Sequence, residues 1–124
     1  MRLLLDTHVV LWWLTDDPTL SDALKERITH DPDVLISAAT IWEVAIKQAL
    51  GKLHGPVGLA DYIGNGGFIP LPIGLDHAAA AGRLPPIHRD PFDRMLVAQA
   101  QYEDLTLVTR DPWCQRYDVA VLPV

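Results

Sequence analysis

Four carboxylates, Asp6, Glu43, Asp93 and Asp111, stand at distant points of a 124-residue chain. Carboxylates gathered in one small volume repel one another, so some must take up a proton, face solvent or share a cation. Mg²⁺, or Mn²⁺, is the natural partner of such a group, because hard divalent ions prefer oxygen ligands. One or two of these ions activate water and offset the charge on an attacked phosphodiester. A zinc centre is not indicated: the five histidines are scattered and no pair sits at i, i+4.

Each acid also has a plainer role. Asp6 could cap the helix that follows it. Glu43 precedes Lys47 by four residues, a helix-surface pairing that contributes roughly 0.2–0.5 kcal/mol. Asp90, Pro91 and Asp93 fit the N-cap, N1 and N3 positions of a helix, and Asp111-Pro112 has the same form. Taken singly, the capping roles are at least as good. Four acids on one predicted edge favour a site, with Asp90 the possible further ligand most readily left as a cap. Thr7 and Thr109 carry hydroxyls beside Asp6 and Asp111 and could orient the acids or a phosphate. Lys47, Arg89, Arg94 and Arg110 lie next to the acids and could contact RNA phosphates or simply balance local charge. His88 could assist proton transfer, although a loop histidine is more often incidental.

The elements that would position these residues alternate strand and helix. Arg2–Leu5 is a short apolar run ending in Asp6, and Thr7–Leu14 is apolar and helical. Ser21 caps a helix to His30. Val34–Ile36 is a second buried strand, and Ser37 caps a helix to about Leu53, with Trp42, Ile46, Ala49, Leu50 and Leu53 on one face. A short helix follows at Gly58–Ile63. Phe68–Leu71 is a third strand, placed at a sheet edge by Pro70 and Pro72. Leu75–Ala81 is helical, and Asp90-Pro91 opens a helix through Ala100. Thr106–Val108 is the fourth strand, Asp111-Pro112 opens a helical turn, and Val119–Leu122 is the last strand. Such alternation implies a mainly parallel sheet covered on both faces. Ligands of open α/β sheets bind beyond the carboxyl ends of the strands, where all four acids fall.

Composition bounds the rest. With 49% hydrophobic residues, the chain can bury a core, and it reads as a single domain over residues 1–124. One cysteine, Cys114, permits no disulfide framework and suits a reducing compartment. No stretch is long enough for a membrane span, and the N-terminus lacks signal-peptide character, so a cytoplasmic protein without membrane contact is expected. A net charge of −6 argues against a broad basic nucleic-acid surface. It does not exclude binding a polyanion through metal ions.

The stretches LLLDTHVVLWWL at Leu3–Leu14, SAATIWEVAIKQALGKL at Ser37–Leu53, HRDPFDRMLVAQA at His88–Ala100 and LVTRD at Leu107–Asp111 resemble the PIN domain family. Within it they resemble the VapC-type toxins of bacterial toxin–antitoxin pairs. The resemblance implies a three-layer α/β fold with a five-stranded parallel sheet. It also implies Mg²⁺ ligands at Asp6, Glu43, Asp93 and Asp111, with Asp6 and Asp93 the principal pair, and endoribonuclease activity. A homodimer and a small antitoxin that blocks the site are implied as partners. Trp12 and Trp13 cannot face the same way on a helix, so one of them is expected in an antitoxin groove, whereas Trp42 is expected in the core. A phosphoacceptor receiver domain is the rival of similar length. It lacks support here, since Asp6 stands alone and Leu71-Pro72 carries no acid after strand three. A PIN-like binding module without catalysis is the alternative within the family.

Overall fold

The computed structural model describes residues 2–54 and 58–124 of the chain. Five strands, β1 (Leu3–Leu5), β2 (Val34–Ser37), β3 (Ile69–Leu71), β4 (Thr106–Thr109) and β5 (Val121–Pro123), form one sheet in the order β3-β2-β1-β4-β5. Every pairing is parallel. The described helices are α1 (Thr7–Leu14), α2 (Asp22–His30), α3 (Ala38–Ala49), α4 (Leu59–Asn65), α5 (Leu75–Arg83) and α6 (Pro91–Glu103), with a 3₁₀ turn at Cys114–Arg116.

Strand residues alternate between two faces, and both faces are covered. Leu3 and Leu5 of β1 join Val34, Ile36 and Val108 in a cluster with Val9, Val10 and Ile28 from α1 and α2. Leu4 joins Leu35 and Leu107 on the opposite face, against Leu96, Val97 and Ala100 of α6. All three leucines of β1 are fully buried. Truncating any of them to alanine would cost about 2–5 kcal/mol. The expected α/β, three-layer arrangement around a five-stranded sheet is therefore the one observed.

The central strand β1 pairs β2 on one side and β4 on the other, so the chain reverses its direction of travel across the sheet at β1. The crevice at such a reversal lies beyond the carboxyl ends of β1 and β4. β3 is an edge strand, as its proline requires: Pro70 lies opposite Ile36 and has no N–H to offer a further neighbour.

Two expectations about α3 need correction. The helix stops at Ala49 rather than near Leu53, because Gly51 takes a left-handed conformation (φ +71°). Its N–H bonds the Gln48 carbonyl and the Lys52 N–H bonds the Lys47 carbonyl, which closes the helix with a Schellman motif. The face of α3 was also misjudged. Ala39, Thr40, Glu43 and Val44 are buried, whereas Trp42 is 61% exposed and Leu50 62%. Counting apolar residues pointed to the wrong stripe because the inward face carries the polar groups that the site needs. The last strand also lies two residues later than expected at its start, and Val119 packs in the cluster below β4. Among the described residues no helix is long and apolar enough to cross a membrane.

Candidate functional site

Asp6 leaves β1 directly and serves as N-cap of α1, its Oδ1 accepting the His8 N–H at 3.2 Å. Its Oδ2 accepts the Thr109 hydroxyl at 2.5 Å, from the end of the neighbouring strand β4. Burial pushes the Asp6 carboxyl above its ordinary pKa, with the nearby Glu43 charge adding to the rise against the bonds from Thr109 and His8. Thr109 Oγ1 also accepts the Asp111 N–H at 3.0 Å, so one hydroxyl fixes two of the acids.

Glu43 lies on the second turn of α3, facing inward and 3% exposed. Thr7 of α1 and Thr40 of α3 share a hydroxyl–hydroxyl bond of 3.2 Å, which ties the two helices together one turn below Glu43. Lys47 Nζ donates to Glu43 Oε2 at 2.6 Å. The other oxygen, Oε1, is buried with no hydrogen-bond partner. A buried carboxylate oxygen left without a donor is costly in a folded chain and marks a place for a missing partner.

Asp90 caps α6, its Oδ1 accepting the N–H groups of Phe92 and Asp93 at 2.9 and 3.0 Å. Asp93 therefore starts on the first turn of α6, at the carboxyl edge of the sheet. Burial, followed by the charges of Asp6, Asp90 and Asp111, pushes its carboxyl up to about 7. Asp111 follows β4, and its Oδ1 accepts the Trp113 N–H at 2.8 Å. Partial burial works to raise its pKa, but the Trp113 N–H and His88 outweigh this and hold the carboxyl below its ordinary value. Neighbours of like charge thus divide into one carboxyl that keeps its proton readily and one that gives it up.

The structure brings a further residue into the group. His88 Nε2 lies 2.9 Å from Asp93 Oδ2 and 2.9 Å from Asp111 Oδ2. Burial alone would lower the His88 pKa, but the two carboxylates, Asp111 first, raise it. The ligand atoms of His88, Asp93, Asp111 and Cys114 all lie within 4.8 Å of one another. Burial and the surrounding acids drive the Cys114 thiol far up, so it forms a neutral wall behind the acids. The sequence signal for His88 was its place in a loop five residues before Asp93, which left a part in proton transfer and an incidental place both open.

Of the residues that could contact substrate or balance local charge, some are held by other partners and some stand exposed. The Arg94 guanidinium donates to the carbonyls of Ala81 (2.9 Å), Leu84 (3.1 Å), Pro85 (3.0 Å) and His88 (3.3 Å). It is consumed by the loop before α6, because those four carbonyls have converged on it. Thr7 and Thr109 are buried and bond Thr40 and Asp6. Lys47 is held in its ion pair with Glu43. Arg89 is exposed. Arg110 packs over the Trp12 ring at 5.8 Å and lines an open pocket with Asp6, His8, Trp12, Asp111 and Pro112. Trp13 turns the other way, its ring edge-on to Phe68 at 5.1 Å in the core cluster. Trp42, expected in the core, lies on the surface beside Phe92, with ring centroids 5.2 Å apart.

The donors fit a hard divalent cation. Carboxylate oxygens predominate: Asp93 and Asp111 lie with His88 and Cys114 within 4.8 Å of one another, the Asp6 charge reaches Asp93, and the buried Glu43 Oε1 is unpartnered. A family model described as the PIN domain matches residues 3–120. The chain belongs to the PIN domain family. Among PIN domain proteins, Ribonuclease VapC22 from Mycobacterium tuberculosis (strain ATCC 25618 / H37Rv) is 32% identical over 116 residues, 87% of this chain and 85% of that protein. The DNA-bound VapBC complex from Salmonella typhimurium superposes with a TM-score of 0.71 at 17% identity, covering 99% of this chain and 98% of that one. FitAcB from Neisseria gonorrhoeae superposes with a TM-score of 0.66 at 22% identity, covering 98% and 96%. At these identities the solved structures establish the PIN fold and no more.

Proposed function

We propose that the chain is a metal-dependent endoribonuclease, the toxin of a toxin–antitoxin pair, with Asp6, Glu43, Asp93 and Asp111 holding Mg²⁺ or Mn²⁺. The observation that carries this reading is the buried, unpartnered Glu43 Oε1 among mutually repelling carboxylates. The likeness to a protein named a ribonuclease supports the same activity. When bound, the cation supplies charge stabilisation at the phosphoryl oxygens and makes water a better nucleophile.

The chain's own residues supply the rest. Thr109 orients Asp6 and, through the backbone, Asp111. Lys47 neutralises one Glu43 oxygen and leaves the other available. Arg110 and Arg89 stand at the exposed rim, where each could hold a phosphate of the RNA backbone. Trp12, beside Arg110 in the open pocket, offers a ring face on which an unpaired base could stack.

A protein antitoxin is the proposed partner, as in the complexes named VapBC. Homodimerisation and a cytoplasmic location belong to the same reading. Apolar surface for a partner lies in a groove where Trp42, Ile41 and Ala45 of α3 face Ala60, Pro70 and Pro72. A non-catalytic PIN module is the alternative. Purified protein free of antitoxin should cleave RNA with Mg²⁺ or Mn²⁺ and stop reversibly with EDTA. Asp6→Ala and Asp93→Ala should be inactive with an intact circular dichroism spectrum. Full cleavage by either variant, with contaminating nuclease excluded, rejects the assignment.

A further inference from the structure

His88 is held with more care than an incidental loop residue requires. Its N–H donates to the Tyr117 hydroxyl at 2.8 Å. Its carbonyl accepts from Arg94 at 3.3 Å, and the same guanidinium gathers the Leu84 and Pro85 carbonyls of the loop and the Ala81 carbonyl at the end of α5. A charged side chain and a buried tyrosine are thus spent on fixing one stretch of backbone, whose product is the position of the imidazole.

The ring's own bonds state what the imidazole does there. Nδ1 accepts the Asp90 N–H at 3.4 Å, so the ring proton belongs on Nε2. Nε2–H then faces two carboxylate oxygens at 2.9 Å each, one on α6 and one after β4. A ring protonated at Nε2, whether neutral or charged, can donate but has no lone pair there for a cation. A histidine that ligates a metal also donates its other N–H to an acceptor, and here Nδ1 meets a donor instead. Carboxylates that bind metals are commonly hydrogen-bonded from behind in this way. Independent of this cluster, the unpartnered Glu43 Oε1 calls for a cation in the same region, since the Glu43 charge reaches Asp6 and the Asp6 charge reaches Asp93.

We propose that His88 is a positioning residue of the metal centre: through one shared Nε2–H it cross-links Asp93 and Asp111 and sets the spacing of their carboxylates before the cation arrives. This rests on the metal-centre reading above and adds a fifth side chain to it. His88 acts through the two acids and touches neither cation nor RNA.

The test is metal binding by the full chain without RNA. Titration calorimetry with Mn²⁺ and with Mg²⁺ would compare the native protein, His88→Ala and His88→Gln, whose amide nitrogen falls near the place of Nε2. His88→Ala should bind both ions about 10–100-fold more weakly. His88→Gln should recover most of that loss, which a merely structural defect would not allow. Pulsed electron paramagnetic resonance of Mn²⁺ in the native protein should show no histidine nitrogen coupling. Unchanged or tighter binding in His88→Ala overturns the proposal, as does failure of His88→Gln to recover affinity or nitrogen coupling to Mn²⁺. If His88→Ala does not fold, the glutamine variant and the resonance experiment still decide. If the native chain binds neither ion, the metal centre and this inference fall together. If it binds and His88→Ala binds equally, only the inference falls.

Discussion

In the proposed metal site, Asp93 is the side chain on which metal, acidity and stability would meet. Its carboxyl titrates at about 7 in the folded chain against an ordinary 3.8. For a raised carboxyl, the unfolded chain releases its proton first, so the fold loses stability as pH climbs from about 4 to about 7. The metal-free protein should therefore melt at a lower temperature at pH 8 than at pH 5, and added Mg²⁺ should reverse the difference; calorimetry at both pH values measures this. Asp93→Asn removes the charge while leaving an oxygen for His88. It should raise the metal-free melting temperature at pH 8 by about 5 °C while abolishing cleavage. The same proton competes with the cation, so metal affinity should fall about tenfold per pH unit below about 7. The four acids were legible as candidates because three stood at a strand end or helix start and Glu43 in the early turns of a helix that follows a strand. His88 was not, because its role depends on a loop folded by Arg94 and Tyr117, and no spacing rule encodes that.

The loop before α6 and the inward face of α3 do the positioning. Arg94→Ala should cost about 3 kcal/mol by leaving several loop carbonyls unsatisfied, and Arg94→Lys should recover little, since one ammonium cannot span four of them. Denaturant melts would report both. Both variants should also weaken metal binding if the loop carries His88 as described. A second device docks α6 on β2. Ser37 Oγ donates to Gln99 Oε1 at 2.5 Å within the core, and Gln99 Nε2 reaches the Pro72 carbonyl at 3.3 Å nearer the surface. Gln99→Leu should cost about 1–3 kcal/mol in the same melts without altering metal affinity. The alternation of strands and helices and the edge position of β3 followed from hydrophobic runs, capping residues and prolines, which are local signals, whereas the order of the other strands was not read from them. The face of α3 did not, since Thr40 and Glu43 are polar residues buried for the sake of the site, and Trp42 is an apolar residue left outside it.

Across the molecule, charge and topology set how RNA is met. The net charge is −6, and the exposed cations near the acids are few, Arg89 and Arg110 foremost. Single-stranded RNA binding releases counterions in proportion to the phosphates neutralised. With two or three such contacts, log affinity against log salt should have a slope no steeper than about −2. A catalytically dead variant titrated with labelled RNA at several salt concentrations would measure it, and a much steeper slope would mean a broader cationic surface than Arg89 and Arg110 provide. The exposed Trp42 groove makes a separate prediction: Trp42→Ala should weaken any self-association seen by ultracentrifugation at least tenfold while leaving the melting temperature unchanged. The parallel sheet has one more effect, on timing. Thr109 bonds Asp6 across a separation of 103 residues, and β1 cannot gain its second neighbour until β4 exists. A ribosome that has added Asp6 must therefore add about a hundred residues more before Thr109 and Asp111 can join it. If the chain is the nuclease proposed above, its site stays unassembled through that interval and closes only when β4 arrives.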